Sequence, residues 1–340
     1  MSDKQPTISS RARDISPSLT DVYLARRRIA QTVNRTPLVR SERLSRLAGA
    51  EVYLKLETVQ PTGTFKVRGA ANKLLSLTEA EKNRGVIAFS TGNHGRAVAN
   101  VARDLGINAV VCLSERVPAF RVQALRDLGA EAVIYGRSQD EAYAKALEIR
   151  DSRNLTMVAP FDDPQVICGQ GTLALEVFED LPTTATVLIP LSGGGLFSGV
   201  ALAAKAINPK VSAIGVSMEV APAMVRSLEA GRPVEIEEVD SLADALLGGI
   251  GLDNRYTFEL TKRHIDKAVL VSEDQIGRAM ASAFRFERLC LEGSGAVGLA
   301  ALESGLLGPS GSIPGPIVIV VSGGNVDPDL LVEQIKNYGP

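Results

Sequence analysis

Two periods alternate along this sequence, and that alternation constrains the fold more than any other feature. Short β-branched and apolar runs at 52–56, 86–89, 109–113 and 132–135 are separated by stretches whose Ala, Leu, Glu and Arg residues fall at helical spacing, as at 121–128 and 141–150. Gly106 and Gly129 stand where two of these helices should stop. Strands that reach a parallel neighbour through a covering helix make βαβ units, so the expected class is α/β. The pattern returns with a strand at 187–191, a helix at 197–207, a strand at 211–216 and a last strand at 317–321. The reading is two three-layer α/β domains with mostly parallel sheets. No repeat or long linker marks their boundary, but Gly85 and Pro160 are plausible crossing points. They divide the chain into a discontinuous large cofactor-binding domain, 1–84 and 161–340, and a small mobile domain, 85–160.

With 340 residues, 45% of them hydrophobic, the chain can bury cores for two domains. Its 37 basic and 39 acidic side chains nearly cancel, which removes the charge excess that favours nucleic acid or an anionic membrane. A small-molecule ligand is therefore expected. Apolar runs such as 186–191 and 317–321 are too short to span a bilayer. Cys112, Cys168 and Cys290 lie too far apart for a disulfide framework or a metal cluster, which points to a reducing cytoplasm. The first twenty residues mix charge with Ser and Pro and read as a flexible leader rather than a secretory signal.

Four turns carry chemistry. Ser192-Gly193-Gly194-Gly195-Leu196 follows a buried strand and opens a helix, where close-approaching backbone N–H groups and the positive helix end make a cradle for phosphate. A ligand-free tight turn is the bland alternative. Gly193, Gly195 and Gly199 also loosely resemble a dinucleotide fingerprint, with Glu219 placed to bind a ribose, so an NAD-dependent oxidoreductase stays open; Gly199, however, falls one position late. In Pro61-Thr62-Gly63-Thr64-Phe65-Lys66-Val67-Arg68-Gly69-Ala70, Lys66 starts a helix. A cation there is disfavoured by the helix dipole, which should lower its pKa toward the neutral amine that a Schiff base needs. Its alternative is an ordinary solvated lysine. Ser90-Thr91-Gly92-Asn93-His94-Gly95 offers N–H groups and a hydroxyl to a substrate carboxylate, or simply caps a helix. Ser322-Gly323-Gly324-Asn325 ends the last strand at the carboxyl edge where ligands of open α/β sheets collect, or is only a turn.

Taken together and in this order, the four motifs resemble the fold-type II pyridoxal-phosphate enzymes, the tryptophan synthase β-like group, and within it threonine and serine dehydratases and serine racemases. The resemblance runs from about Thr36 to the C-terminus and looks closest to the dehydratases of hydroxyectoine utilisation. It implies pyridoxal 5'-phosphate held covalently by Lys66, with Phe65 packed by the ring and Asn93 on its phenolic oxygen. Gly193, Gly194, Gly195 and Leu196 would hold the phosphate, and Ser322 would face the pyridine nitrogen as a neutral partner. Ser90, Thr91, Gly92 and His94 would hold the substrate carboxylate. The freed lysine would take the Cα proton and hydroxide would leave Cβ, giving a 2-oxo acid and ammonia.

Departures from the family pattern qualify this. Thr91 stands where serine racemases use a serine as the second catalytic group, leaving a racemase or a hydroxyaspartate ammonia-lyase as alternatives to the dehydratase. Residues 217–223 hold one acid, Glu219, out of register with the family's cation ligands, so no metal is expected. Ala245 replaces a glycine common near the ring. Glu292 falls where relatives often place a glutamate near the site, or is an exposed acid leading a helix. The chain leaves room for one more helix after Asn325, as in short catabolic relatives without a regulatory domain, and such relatives are homodimers or homotetramers.

Overall fold

The computed structural model describes residues 16–90 and 92–339. The strands among them are β1 (Leu38–Arg40), β2 (Val52–Leu56), β3 (Val86–Phe89), β4 (Ala109–Leu113), β5 (Glu131–Ile134), β6 (Thr156–Met157), β7 (Thr186–Pro190), β8 (Ser212–Met218), β9 (Lys267–Val271) and β10 (Ile317–Val321). One sheet has the order β1-β2-β10-β7-β8-β9 and the other β5-β4-β3-β6. All strand pairings are parallel except that of the edge strand β1 with β2.

The apolar runs dictate this burial. In β10 every residue is buried, and alternation sends Val318 and Val320 to one face and Ile317, Ile319 and Val321 to the other. On the first face they meet helices Leu19–Ile29, Pro164–Asp180 and Gly195–Ile207. On the second they meet helices Glu273–Ser282 and Gly293–Glu303. The smaller sheet is covered on one side by helix Asn93–Leu105 together with the apolar face of helix Lys66–Leu75, through Val67, Ala70 and Leu74. Its other side takes helix Gln139–Arg153 through Ala146 and Ile149.

The α/β class and mostly parallel sheets match the expectation from the sequence. The leader differs: Ser18 caps helix Leu19–Ile29, its Oγ accepting from the Asp21 N–H while Asp21 accepts from the Ser18 N–H, so ordered structure begins before residue 20. Residues 1–15 lie outside the described residues. Among the described residues no helix is long and apolar enough to cross a membrane.

Candidate active site

Because β7 and β10 are parallel neighbours, the loops after both strands emerge at one sheet edge. After β7 the chain turns through Ser192–Leu196 into helix Gly195–Ile207. Gly194 has φ +85°, where a side chain would be strained, and a Cβ on Gly193 would overlap the Phe161 ring. The turn can therefore be built only without side chains, and the first N–H groups of the helix, lacking intrahelical partners, are left for an anion.

After β10, Ser322–Gly324 is stitched to the segment that precedes Lys66. The Phe65 N–H donates to the Ser322 carbonyl (3.0 Å), the Gly324 N–H donates to the Gly63 carbonyl (3.0 Å), and Thr64 bridges Gly323. This places Lys66, the first residue of its helix, beside the end of β10. Its Nζ donates to the Pro160 carbonyl (2.9 Å) and lies 5.3 Å from the centre of the Phe65 ring. Burial pulls the amine down to about 8, against a smaller upward pull from Glu292. The direction is the one expected at Lys66, with desolvation as its largest cause.

The third motif closes the cleft from the smaller sheet. Ser90 Oγ accepts from the Gly92 and Gly95 N–H groups (both 2.9 Å), which caps helix Asn93–Leu105 and leaves the hydroxyl proton to donate. Thr91 lies outside the described residues. His94 is 3% exposed and its Nε2 lies 2.8 Å from the Val158 carbonyl. A carbonyl only accepts, so the proton sits on Nε2 and the buried Nδ1, which has no partner, carries a lone pair. Burial first, then the nearby Lys66 amine, pull this imidazole down to about 3, so it is neutral. The imidazole therefore has no N–H to aim at a substrate carboxylate, but the main-chain N–H of His94, in the first turn of its helix, can donate alongside Ser90 and the backbone around Gly92.

Lys66 with Phe65, then Ser90, Asn93 and His94, the 193–196 turn, Ser322 and Glu292 all line one cleft. Gly92 sits just behind it as the N-cap of the Asn93 helix. Glu292 is no exposed acid: it is 5% exposed, and both its oxygens accept from Asn93 Nδ2 at 2.9 Å. Ser322 is buried, its Oγ donating weakly to the Ser294 carbonyl (3.3 Å). Ala245 lies on the roof of the cleft, where its N–H donates to Ser294 Oγ (3.1 Å) and Ser192 Oγ donates to the Leu246 carbonyl (2.8 Å). By contrast Gly199 lies inside its helix, where a Cβ would meet the Gly171 N–H at 2.7 Å, and Glu219 is exposed beyond β8. Gly199 thus spaces two helices rather than a helix and a strand, which is not the place of a dinucleotide fingerprint's third glycine.

Sequence reasoning missed a buried charge cluster two residues from Lys66. The Arg68 guanidinium, 0% exposed, grips Glu57 (2.7 and 2.8 Å) and Glu176 (2.6 and 2.9 Å), while Lys55 Nζ donates to Glu176 (2.7 Å). Two cations balance two anions, and unpairing one such group costs about 3–5 kcal/mol. The missed signal was that Arg68 sits among Val67, Gly69, Ala70 and Ala71, a place where a charge must be paired or exposed. Asn325, quoted in a motif but given no role, holds Asn93 Oδ1 through its Nδ2 (2.8 Å).

One wall of this cleft thus offers a half-buried amine of lowered basicity and another a side-chain-free anion cradle, with a neutral hydroxyl, Ser322, at the end of β10. These residues fit pyridoxal phosphate: an aldehyde for the amine, a phosphate for the turn, a ring between. Comparisons with known proteins agree. The family model described as pyridoxal-phosphate dependent enzyme matches residues 29–323. A putative threonine dehydratase of Sinorhizobium fredii is 47% identical over 94% of this chain and 95% of its own length. An L-threonine ammonia-lyase of Thermotoga maritima is 41% identical over 95% of this chain and 79% of its own. Among solved structures, maize serine racemase superposes with TM-score 0.88 at 31% identity, covering 95% of this chain and 98% of the other.

The chain belongs to the fold-type II pyridoxal-phosphate dependent enzymes, in the group of threonine and serine dehydratases and serine racemases. Its cofactor is pyridoxal phosphate, and its class is carbon–oxygen lyase.

Proposed function

We propose that this protein removes water from a 3-hydroxy amino acid such as threonine or serine, and that a water then hydrolyses the product to a 2-oxo acid and ammonia. The observation that carries the proposal is the meeting of the Lys66 amine and the Ser192–Leu196 turn in one cleft. Pyridoxal phosphate, when bound, supplies an electron-withdrawing ring that acidifies the Cα–H of an attached amino acid. Gly193, Gly194, Gly195 and Leu196 hold its phosphate through backbone N–H groups. Lys66 holds its aldehyde end and, once displaced, accepts the Cα proton at Nζ, a role suited to an amine drawn down to about 8. Asn93 would donate to the phenolic oxygen, Phe65 would pack beside the ring, and the neutral hydroxyl of Ser322 would face the pyridine nitrogen without forcing a full positive charge there. Ser90, Thr91, Gly92 and His94 hold the substrate carboxylate, His94 through its main-chain N–H.

Gln139 and Asp140 also line the cleft, at the start of the Gln139–Arg153 helix. A carboxylate there favours a substrate with a second ammonium group, such as a hydroxy-diaminobutyrate from hydroxyectoine breakdown. The likeness to maize serine racemase keeps racemisation as a second activity to be measured, and the assembly proposed is a homodimer or homotetramer. Incubation with single stereoisomers of threonine, serine, hydroxyaspartate and hydroxy-diaminobutyrate tests the reading. Formation of 2-oxo acid and ammonia in equal amounts, abolished in Lys66→Ala, is expected. Inverted enantiomer with no ammonia would make the racemase the correct reading.

A further inference from the structure

The side-chain amide of Asn93 can be fitted into its site in two ways, nitrogen or oxygen toward the cofactor, and its neighbours allow only one. Asn325 is fixed first. Its Nδ2 donates to the Thr62 backbone carbonyl (2.9 Å), a group that can only accept. Its Oδ1 lies 3.3 Å from Arg96 Nη1, a group that can only donate. Two partners of single polarity at opposite ends of one amide exclude its flipped form. The same Nδ2 then meets Asn93 at 2.8 Å, so the Asn93 atom facing it must be the acceptor oxygen. The Asn93 nitrogen is thereby turned toward Glu292, whose two oxygens lie 2.9 Å from it. Those oxygens subtend too narrow an angle at one nitrogen to occupy both of its N–H bonds. One N–H serves the carboxylate and the other is left over.

We infer that Asn325 and Glu292 are positioning residues which hold the Asn93 amide so that its remaining N–H is presented to the ring oxygen of the cofactor; this rests on the role proposed above for Asn93. Further geometry supports it. A Cβ on Gly323 would overlap the Glu292 carboxylate, so the chain after β10 closes on that group and leaves it little room to swing away. Glu292 is also 5% exposed, which keeps water from competing for the Asn93 nitrogen. Polarity is thus passed from one backbone carbonyl, at Thr62, through two amides to a donor at the cofactor. Glu292 and Asn325 act through Asn93 and need not touch the reacting atoms.

Purified protein stripped of cofactor and titrated with pyridoxal phosphate tests this, with the visible absorption maximum and the dissociation constant as readouts. Asn325→Asp turns the donor facing Asn93 into an acceptor, and Asn325→Ser removes it without adding charge. Both variants are expected to shift the absorption maximum and weaken cofactor binding about tenfold, the loss of one hydrogen bond to a charged group. Glu292→Leu should do the same, whereas Glu292→Gln, which still offers a carbonyl oxygen to Asn93, should restore binding to within about threefold of wild type. Melting curves of the cofactor-free variants identify any that are unfolded, and the remaining substitutions then carry the comparison. Folded Asn325 variants with the wild-type spectrum and affinity overturn the inference. Wild-type protein that takes up no pyridoxal phosphate overturns the proposed function as well, so the two failures are distinct.

Discussion

Lys66 and Glu292 share the wall of one cleft, and burial pushes both toward neutrality: the amine down to about 8 and the carboxyl up to about 7. For Glu292, burial is opposed by the Asn93 hydrogen bond; Asp244 adds to the rise, while Arg121 and the Asn325 N–H oppose it. The sign of the consequence for stability is definite. Between pH 4.5 and 7 the folded protein keeps a proton that the unfolded chain has released, so this group's contribution to stability falls as pH rises through that window. Gln at position 292 has no such titration. The melting temperature of cofactor-free Glu292→Gln minus that of wild type should therefore grow between pH 4.5 and pH 7, and a constant difference would contradict the burial account. Little of this was legible in the sequence, because a carboxylate before Gly293 looks the same whether a helix start is buried or exposed. The lysine was legible as a residue, from its turn and its place in four ordered motifs, but the cause of its lowered basicity was not. Helix position is local and can be read, whereas desolvation depends on Pro160 and Phe161, far away in the chain.

At the scale of elements, the helix Pro164–Asp180 sets the width of the cofactor site. It lies between the helix that begins at Lys66 and the helix that begins at the glycine turn. A Cβ on Gly169 would come within 2.5 Å of the Arg68 carbonyl and 2.7 Å of Gly69 Cα, and one on Gly171 within 2.8 Å of the Gly199 carbonyl. Backbone therefore packs on backbone on both sides, and the Glu176 grip on Arg68 locks the first contact. Gly169→Val should push the Lys66 helix outward, costing about 1–3 kcal/mol of stability by overpacking and lowering cofactor affinity with it. Thermal melts and cofactor titration of that variant check both parts; a destabilised protein with unchanged affinity would mean that this helix supports the fold without setting the site. The sequence did not announce this element. Its residues 166–178 are buried on every side, so it lacks the polar stripe by which an amphipathic helix is recognised. β1, β6 and β9 escaped for a related reason: they are short, or at a sheet edge with mixed exposure. The strands β3, β4 and β10 were legible residue by residue, since burial on both faces leaves an unbroken apolar run, and β2 was legible although Lys55 interrupts it.

On the scale of the whole molecule, the cleft lies where two sheets meet. The larger sheet contributes the glycine turn and Ser322 from the ends of β7 and β10, the smaller contributes Ser90, Asn93 and His94 after β3, and the Lys66 helix packs against helix Pro164–Asp180 on the one side and helix Asn93–Leu105 on the other. Side chains also cross between them: Asn93 to Glu292, and Arg121 Nη1 to Asp244 Oδ2 at 2.7 Å. The α/β class could be read from strand and helix periods alone, but the convergence of four distant motifs could not, because it is a product of strand order. Only the likeness of the motifs to a known family anticipated it. Lys66 and the glycine turn must grip one and the same cofactor. Reducing the cofactor-loaded protein with borohydride and mapping its peptides by mass spectrometry tests that most directly. One pyridoxyl-phosphate adduct per chain, on Lys66 and absent from Lys66→Ala, is the predicted result; no adduct, or one on another lysine, would contradict it.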